Sequence, residues 1–271
     1  MDRAFWKGAI SFGMVVIPVK MYVATEAHTL SFHMLHKKCL TRPKQVLHCE
    51  KDDEYFSSKD TVRGYEYAKD QFIVLDEEDF KKVPVKTAHS ISIQGFVDAD
   101  QVDAIYYRSS HYLEPEELGV KPFALLREVL GKTRRVGIAK VSFQKREHLC
   151  ALRPLGSIMV LHTLYYKNEI ADYTELSSGK QELSKSEMEM ATSLVDAMST
   201  TFKPEGFKDE YRDALKKLVE AKLKGAEIKP VQEAEVQIPD LMSALKASIE
   251  AAKKKKSARL APSPASSLRA R

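Results

Sequence analysis

Residues 121–166 set a helix beside a three-stranded meander, and no other stretch limits the fold as much. Phe123-Ala-Leu-Leu-Arg127-Glu-Val-Leu130 spaces its apolar residues one and three apart, which predicts a short helix closed by Gly131. A basic knot follows, Lys132-Thr133-Arg134-Arg135. Strands are predicted next over residues 136–143, 147–153 and 158–166, with turn-like breaks at Gln144-Lys145-Arg146 and Pro154-Leu155-Gly156-Ser157. From Lys121 to Arg153 there are nine Lys+Arg against two acids, Glu128 and Glu147, a net charge of +7. An antiparallel meander holding that charge on a rigid surface is a platform for phosphates.

The charge is concentrated. The chain carries +5 overall, and its last nineteen residues, 253–271, add seven positive charges and no acid. Everything outside these two segments therefore sums to −9. Two basic clusters on an acidic body favour a polyanion such as nucleic acid over a merely solvated charged face.

At 271 residues with 44% hydrophobic and 30% charged residues, the composition is that of an ordinary one- or two-domain chain. No apolar run approaches the roughly 18 residues that a membrane span needs. Met1-Asp2-Arg3 leads into a strand-like segment containing Lys7 and Lys20, unlike a secretory signal. Cys39, Cys49 and Cys150 are too sparse for a disulfide framework, so an intracellular location is expected.

Ile10, Phe12 and Met14 alternate with small residues as in a half-buried strand. Residues 15–23 read as a second strand bent near Pro18. Trp6-Lys7-Gly8-Ala9-Ile10-Ser11-Phe12-Gly13, Ile17-Pro18-Val19-Lys20-Met21-Tyr22 and Ala24-Thr25-Glu26 resemble the opening of the bacterial Ku family. These are DNA-end-binding proteins of non-homologous end joining. Val62-Arg63-Gly64-Tyr65-Glu66-Tyr67, Phe96-Val97-Asp98, Ala124-Leu125-Leu126-Arg127-Glu128, Arg146-Glu147-His148-Leu149 and Ala151-Leu152-Arg153-Pro154 extend the similarity over about residues 1–250. The resemblance implies an α+β, β-dominated fold: a Ku-like barrel core over residues 1–180 and a helical dimerisation arm over 181–223. It implies a homodimer closing a ring around duplex DNA, and recruitment of an ATP-dependent, D-type DNA ligase.

Residues 29–69 are polar and weakly periodic, which predicts a surface loop. By resemblance this excursion bridges the DNA, which assigns Lys37, Lys38, Arg42 and Lys44 to that bridge. His33, His36, Cys39, His48 and Cys49 could suggest zinc. The resemblance implies a Cys-x-x-Cys here in some relatives, but this chain reads Val46-Leu47-His48-Cys49, and without a paired knuckle no metal site is assigned. Asp76-Glu77-Glu78-Asp79 predicts an acidic first helical turn rather than a catalytic carboxylate pair. Strands are predicted over residues 90–97 and 105–113, joined by a polar loop.

No enzymatic motif is found. Gly131-Lys132-Thr133 mimics the end of a phosphate-binding loop, but Leu126 stands where that motif needs its first glycine. No Gly-x-Ser-x-Gly and no His-Glu-x-x-His occurs. The expectation is a non-enzymatic protein with no cofactor.

Ser184-Lys-Ser-Glu187 forms a capping box, after which Met188, Ala191, Val195, Met198 and Phe202 make one apolar stripe, the dimer-interface set. Tyr211, Leu215, Leu218 and Val219 line a second helix. Residues 224–252 read as a linker and an amphipathic helix whose Leu241, Met242, Leu245 and Ile249 are the ligase-contact candidates. Residues 253–271 form a basic tail too polar to pack. The DNA-binding set is Lys7, Lys37, Lys38, Arg42, Lys44, Arg127, Lys132, Arg134, Arg135, Lys140, Lys145, Arg146 and Arg153. A cytoplasmic, nucleoid-associated protein is expected, with a basic DNA- or RNA-binding module that does not thread onto ends as the alternative.

Overall fold

The computed structural model describes residues 3–82, 89–144, 146–177, 179, 181–225 and 244–251. The chain divides into two units, Met1–Tyr173 and Thr174–Arg271.

The first unit is built on a closed seven-stranded barrel. Its strands are β1 (Trp6–Phe12), β2 (Val15–Val23), β7 (Ser90–Asp98), β8 (Tyr107–Pro115), β9 (Arg135–Phe143), β10 (Arg146–Leu155) and β11 (Ile158–Leu164). Between β2 and β7 run β3 (Leu47–Cys49), β4 (Glu54–Phe56), β5 (Arg63–Ala68), β6 (Gln71–Leu75) and the short helix α1 (Glu77–Lys82). The barrel order is β1-β2-β8-β11-β10-β9-β7, antiparallel except where β7 returns to β1 in parallel. Closure leaves the barrel sheet without a free edge that could template further pairing.

Period-two alternation sorts the side chains. Ile10, Ile17, Val19, Met21, Ile91, Leu113, Ala139, Val141, Cys150, Leu152, Met159 and Leu161 fill the interior. Gly8 is required where it stands: a Cβ there would meet the His89 carbonyl oxygen and the Trp6 ring, each at 2.4 Å. His111 and His148 also turn inward beside Phe143, which stacks on His148 with centroids 4.2 Å apart. Burial lowers the pKa of both imidazoles, so they pack as neutral rings.

Helix α2 (Val120–Thr133) adds Phe123, Leu126 and Leu130 to the barrel core. It does not stop at Gly131. The helix runs through Gly131 to Thr133, and the left-handed residue that ends it is Arg134, with φ 53°. Leu126, Leu130 and the pairing of Arg135 with Asp98 fix where the strand must begin, so the reversal falls on Arg134.

The three-stranded meander forms as the sequence predicts, with shifted ends. Pro154 and Leu155 belong to β10 instead of the turn, which narrows to Gly156-Ser157. Pro154 is tolerated there because pairing with β9 ends at Leu152. The third strand closes at Leu164, before Tyr166. Met14 lies in the β1–β2 turn at 97% exposure, outside the strand face assigned to it.

The excursion differs most from expectation. It contains two hairpins, β3–β4 and β5–β6, each a two-stranded sheet of its own. Helix α1 begins as predicted: the Asp76 carboxylate accepts from the Glu78 and Asp79 amides at 2.9 and 2.8 Å.

In the second unit, α3 (Lys185–Met198) opens on the predicted capping box, with Ser184 N–H donating to Glu187 at 2.7 Å. It ends at Met198, so Phe202 falls outside the helix and packs instead near Phe207, with ring centroids 5.7 Å apart. Helix α4 (Glu210–Leu223) is capped by Asp209. Residues 244–251 are helical and include Leu245 and Ile249; Leu241 and Met242 lie outside the described residues, as do the tail and most of the linker. No helix among the described residues is long and apolar enough to cross a membrane.

Candidate nucleic-acid interface

Because Ala139 and Val141 are fully buried, the strand pleat puts Lys140 on the outer wall of the barrel. The same logic places Lys7 outside, since its neighbours Trp6 and Gly8 face the core. Lys7 stands directly opposite Lys20 in the β1–β2 register. Like charges opposed across a strand pair are destabilising. Lys20 is flanked on its other side by Glu114, which also accepts from the Tyr22 hydroxyl at 2.6 Å. Between Lys7 and Lys140 the wall is made of small side chains. Ala9 pairs with Ser90, Ser11 with Ser92, and Ser92 with Lys140, while the Ser11 and Ser90 hydroxyls meet at 2.8 Å. This is a low, hydroxyl-rich surface edged by cations.

The knot sits where α2 hands over to β9. Lys132 occupies the last helical turn, Arg134 the left-handed cap, and Arg135 the first position of the strand. All three side chains are exposed. The cap backbone is held on both sides: Arg134 N–H donates to Gly131 O at 3.4 Å, and its carbonyl accepts from Ala99 N–H at 3.1 Å.

The sequence-derived cations fall into two groups. Lys7, Lys37, Lys38, Arg42, Lys44, Lys132 and Arg134 are exposed and make no ion pair among the described residues. Arg127, Arg135, Lys140, Arg146 and Arg153 are engaged. Arg127 donates to the Ser157 carbonyl at 2.6 Å and to Glu128 at 2.8 Å, tying α2 to the β10–β11 turn. Arg135 reaches Asp98 only at 3.4 Å. Lys140 pairs with Glu147 at 2.9 Å, which raises the lysine pKa. Arg146 pairs with Glu169, whose own pKa is lowered first by the Tyr166 amide and then by Arg146. Lys145 lies outside the described residues. The exposed pairs of Arg135, Lys140 and Arg146 are screened by solvent and contribute little to stability, so a phosphate can replace the carboxylate at little cost.

Arg153 is held differently. Its Nε donates to His162 Nε2 at 2.8 Å, and His162 Nδ1 is 2.9 Å from the Ser110 hydroxyl. Burial, then the adjacent guanidinium and His111, push the His162 pKa down to about 4. The neutral imidazole is therefore an acceptor that orients Arg153. Spacing alone did not flag Lys20, although its register with Lys7 follows from the hairpin. It did not flag Arg108 either, whose guanidinium lies 5.6 Å above the Tyr165 ring.

In the excursion, the Cys39 thiol contacts the Thr41 hydroxyl at 2.9 Å and His36 Nδ1 at 3.1 Å. Hydrogen bonds from Thr41, then from His36, lower its pKa to about 7. His48 bonds Asp53 at 2.9 Å and Cys49 bonds Asp52 at 3.3 Å. Among the described residues no group of three or more His, Cys, Asp or Glu side chains could hold a metal ion.

The structure is thus a closed β-barrel protein with exposed cations on its wall and its excursion, several of them without a carboxylate partner among the described residues. Residues 11–190 match the family model of the Ku70/Ku80 beta-barrel domain, and the chain belongs to the Ku family. It is 42% identical over 257 residues to "Non-homologous end joining protein Ku" of Solibacter usitatus, covering 94% of this chain and 96% of that protein. The Archaeoglobus fulgidus protein of the same name is 41% identical over 253 residues, covering 93% of this chain and 100% of the relative. That of Koribacter versatilis is 39% identical over 264 residues, with 96% and 91% covered.

Proposed function

We propose that this chain binds the ends of double-stranded DNA without sequence preference in non-homologous end joining. The observation that carries the reading is the set of exposed cations on the barrel's outer wall and excursion that make no ion pair among the described residues, in a chain related over 94% of its length to an end-joining protein. Backbone contacts carry no base readout, so sequence independence follows from the chemistry. The reading is non-catalytic, and it makes the protein cytoplasmic and nucleoid-associated.

The working form is a homodimer whose copies close a ring on the duplex. Supporting it are the exposed Met188, Val195 and Met198 on α3, with half-buried Ala191 beside them and Phe202 exposed beyond the helix. The test is competition between linear and closed-circular duplex of one sequence. Linear DNA should bind tightly and circles compete poorly; equal competition would favour a general basic module. With ~6–10 phosphate contacts, affinity should fall about 10³–10⁵-fold between 50 and 200 mM salt.

Ligase recruitment through residues 239–250 belongs to the same reading, because a short amphipathic helix with little of its own to bury is marginal alone. Truncation after Ala252 should weaken DNA binding by removing the basic tail but retain an ATP-dependent ligase in pull-down. Truncation after Gly225 should lose the ligase and still load onto ends. Full recruitment by the shorter chain would move the contact elsewhere.

A further inference from the structure

Beside the knot, α2 and the ends of β1, β2 and β7 enclose an apolar groove of about 330 Å³. Its floor is an edge-to-face pair, Phe12 and Phe96, with centroids 6.3 Å apart. Leu125 and Val129, one turn apart on α2, form its wall and are 66% and 47% exposed. Such exposure is a loss for a helix whose opposite face fills the barrel core. Among the described residues the one charged lining side chain is Arg135. Lys121, Lys132 and Arg134 stand exposed along the same helix and its cap. Of the nearby acids, Glu128 is held by Arg127 at 2.8 Å, while Asp98 reaches Arg135 only at 3.4 Å in an exposed pair. Positive charge thus rims an apolar floor.

We infer that this groove docks a peptide segment of another protein that carries two bulky apolar side chains beside a carboxylate. The apolar pair displaces water from Leu125, Val129 and the Phe12–Phe96 floor, and the carboxylate takes the loosely held guanidinium of Arg135. A nucleic acid does not fit this chemistry, since phosphates gain nothing over an apolar floor. A basic peptide would face Arg135 and its neighbours unfavourably. The inference stands apart from the DNA-end reading and survives its failure.

The probe is a fluorescein-labelled helical peptide of about twelve residues with two leucines four positions apart and a glutamate beyond them. One control replaces both leucines by serine, another the glutamate by lysine. With the full chain, the probe should bind saturably and shift the methyl resonances of Val15, Leu125 and Val129. Affinity should drop at least about tenfold for Leu125→Glu and for the serine control. Leu125 is exposed, so the variant should keep its unfolding midpoint; Val129→Glu gives the same readout if it does not. Arg135→Glu should reverse the preference and favour the lysine peptide. Equal binding by the variants, indifference to the peptide's charge, or methyl shifts elsewhere would overturn the proposal. So would a change in the chain's own association state on Leu125→Glu, which would make a second copy the occupant.

Discussion

Arg134 offers a variant in which stability and binding should move in opposite directions. Its backbone sits at φ 53°, held by Gly131 and Ala99, while its side chain is exposed and unpaired among the described residues. A non-glycine residue in that region costs roughly 1–2 kcal/mol. Glycine returns about 0.5–1 kcal/mol of this through the greater entropy of the unfolded chain. Arg134→Gly should therefore stabilise the fold by about 0.5–1 kcal/mol, a rise of roughly 1–3 °C in the unfolding midpoint. The same change removes one phosphate contact per copy. Because both copies of the homodimer lose the contact, the slope of log K against log salt should become shallower by about 1.8, and affinity at 0.1 M salt should fall about sixtyfold. Fluorescence anisotropy with a linear duplex across a salt series reads the second effect, and calorimetry the first. Arg134→Ala keeps the strained backbone and should lose the binding without the gain in midpoint. An unchanged salt slope would show that Arg134 faces away from DNA. A lower midpoint would refute the backbone argument.

Two further predictions concern titrating groups. Alkylation of Cys39 should be half-maximal in rate near pH 7, and His36→Ala should shift that midpoint upward; peptide mass spectrometry separates it from Cys150, whose burial raises its thiol pKa and leaves it inert in the native chain. A Cys39 profile centred near 9 would show that the Thr41 and His36 contacts do not form in solution. For His162, the unfolded chain binds its proton near pH 6.5 and the folded chain only near 4. Stability is therefore fully present above about pH 6.5 and falls as pH drops through that window, by about 2–3 kcal/mol. His162→Gln can still accept from Arg153 and should remove one proton's share of the dependence; denaturant unfolding from pH 4 to 7 measures it, and an unchanged slope would sink the assignment.

What the sequence made legible follows the range of the interactions involved. The meander and its basic residues were readable because alternation and turn residues act within a few positions, and β9, β10 and β11 differ from expectation only at their ends. Which face of β9 is inside was not readable. Period two separates Lys140 from Ala139 and Val141, but only closure through β7 and β1 shows that the latter two are buried. The helix end was misplaced at Gly131 because glycine is the usual left-handed residue, whereas tertiary packing put the reversal on Arg134. Whether a cation is committed also depends on distant residues. Arg127 meets Ser157 and Arg146 meets Glu169, partners that no local pattern identifies.

The excursion shows a different limit. Its two hairpins went unread because their apolar residues do not alternate between a buried and a solvated face. Tyr65, Tyr67, Phe72, Ile73 and Val74 in β5 and β6 are all more than half exposed. An isolated two-stranded hairpin is at best marginal in water, and aromatic and β-branched residues lose their packing gain when nothing covers them. The hydrophobic pattern of this segment is therefore not matched by burial among the described residues. The lysines and arginine of residues 37–44, without an ion pair among the described residues, fit the same logic: like charges held together with no acid among them are tolerated in solution and gain from a counter-charge. Both features are unread by a pattern search tuned to a single chain's core, and the proposed dimer on DNA would give each of them a partner.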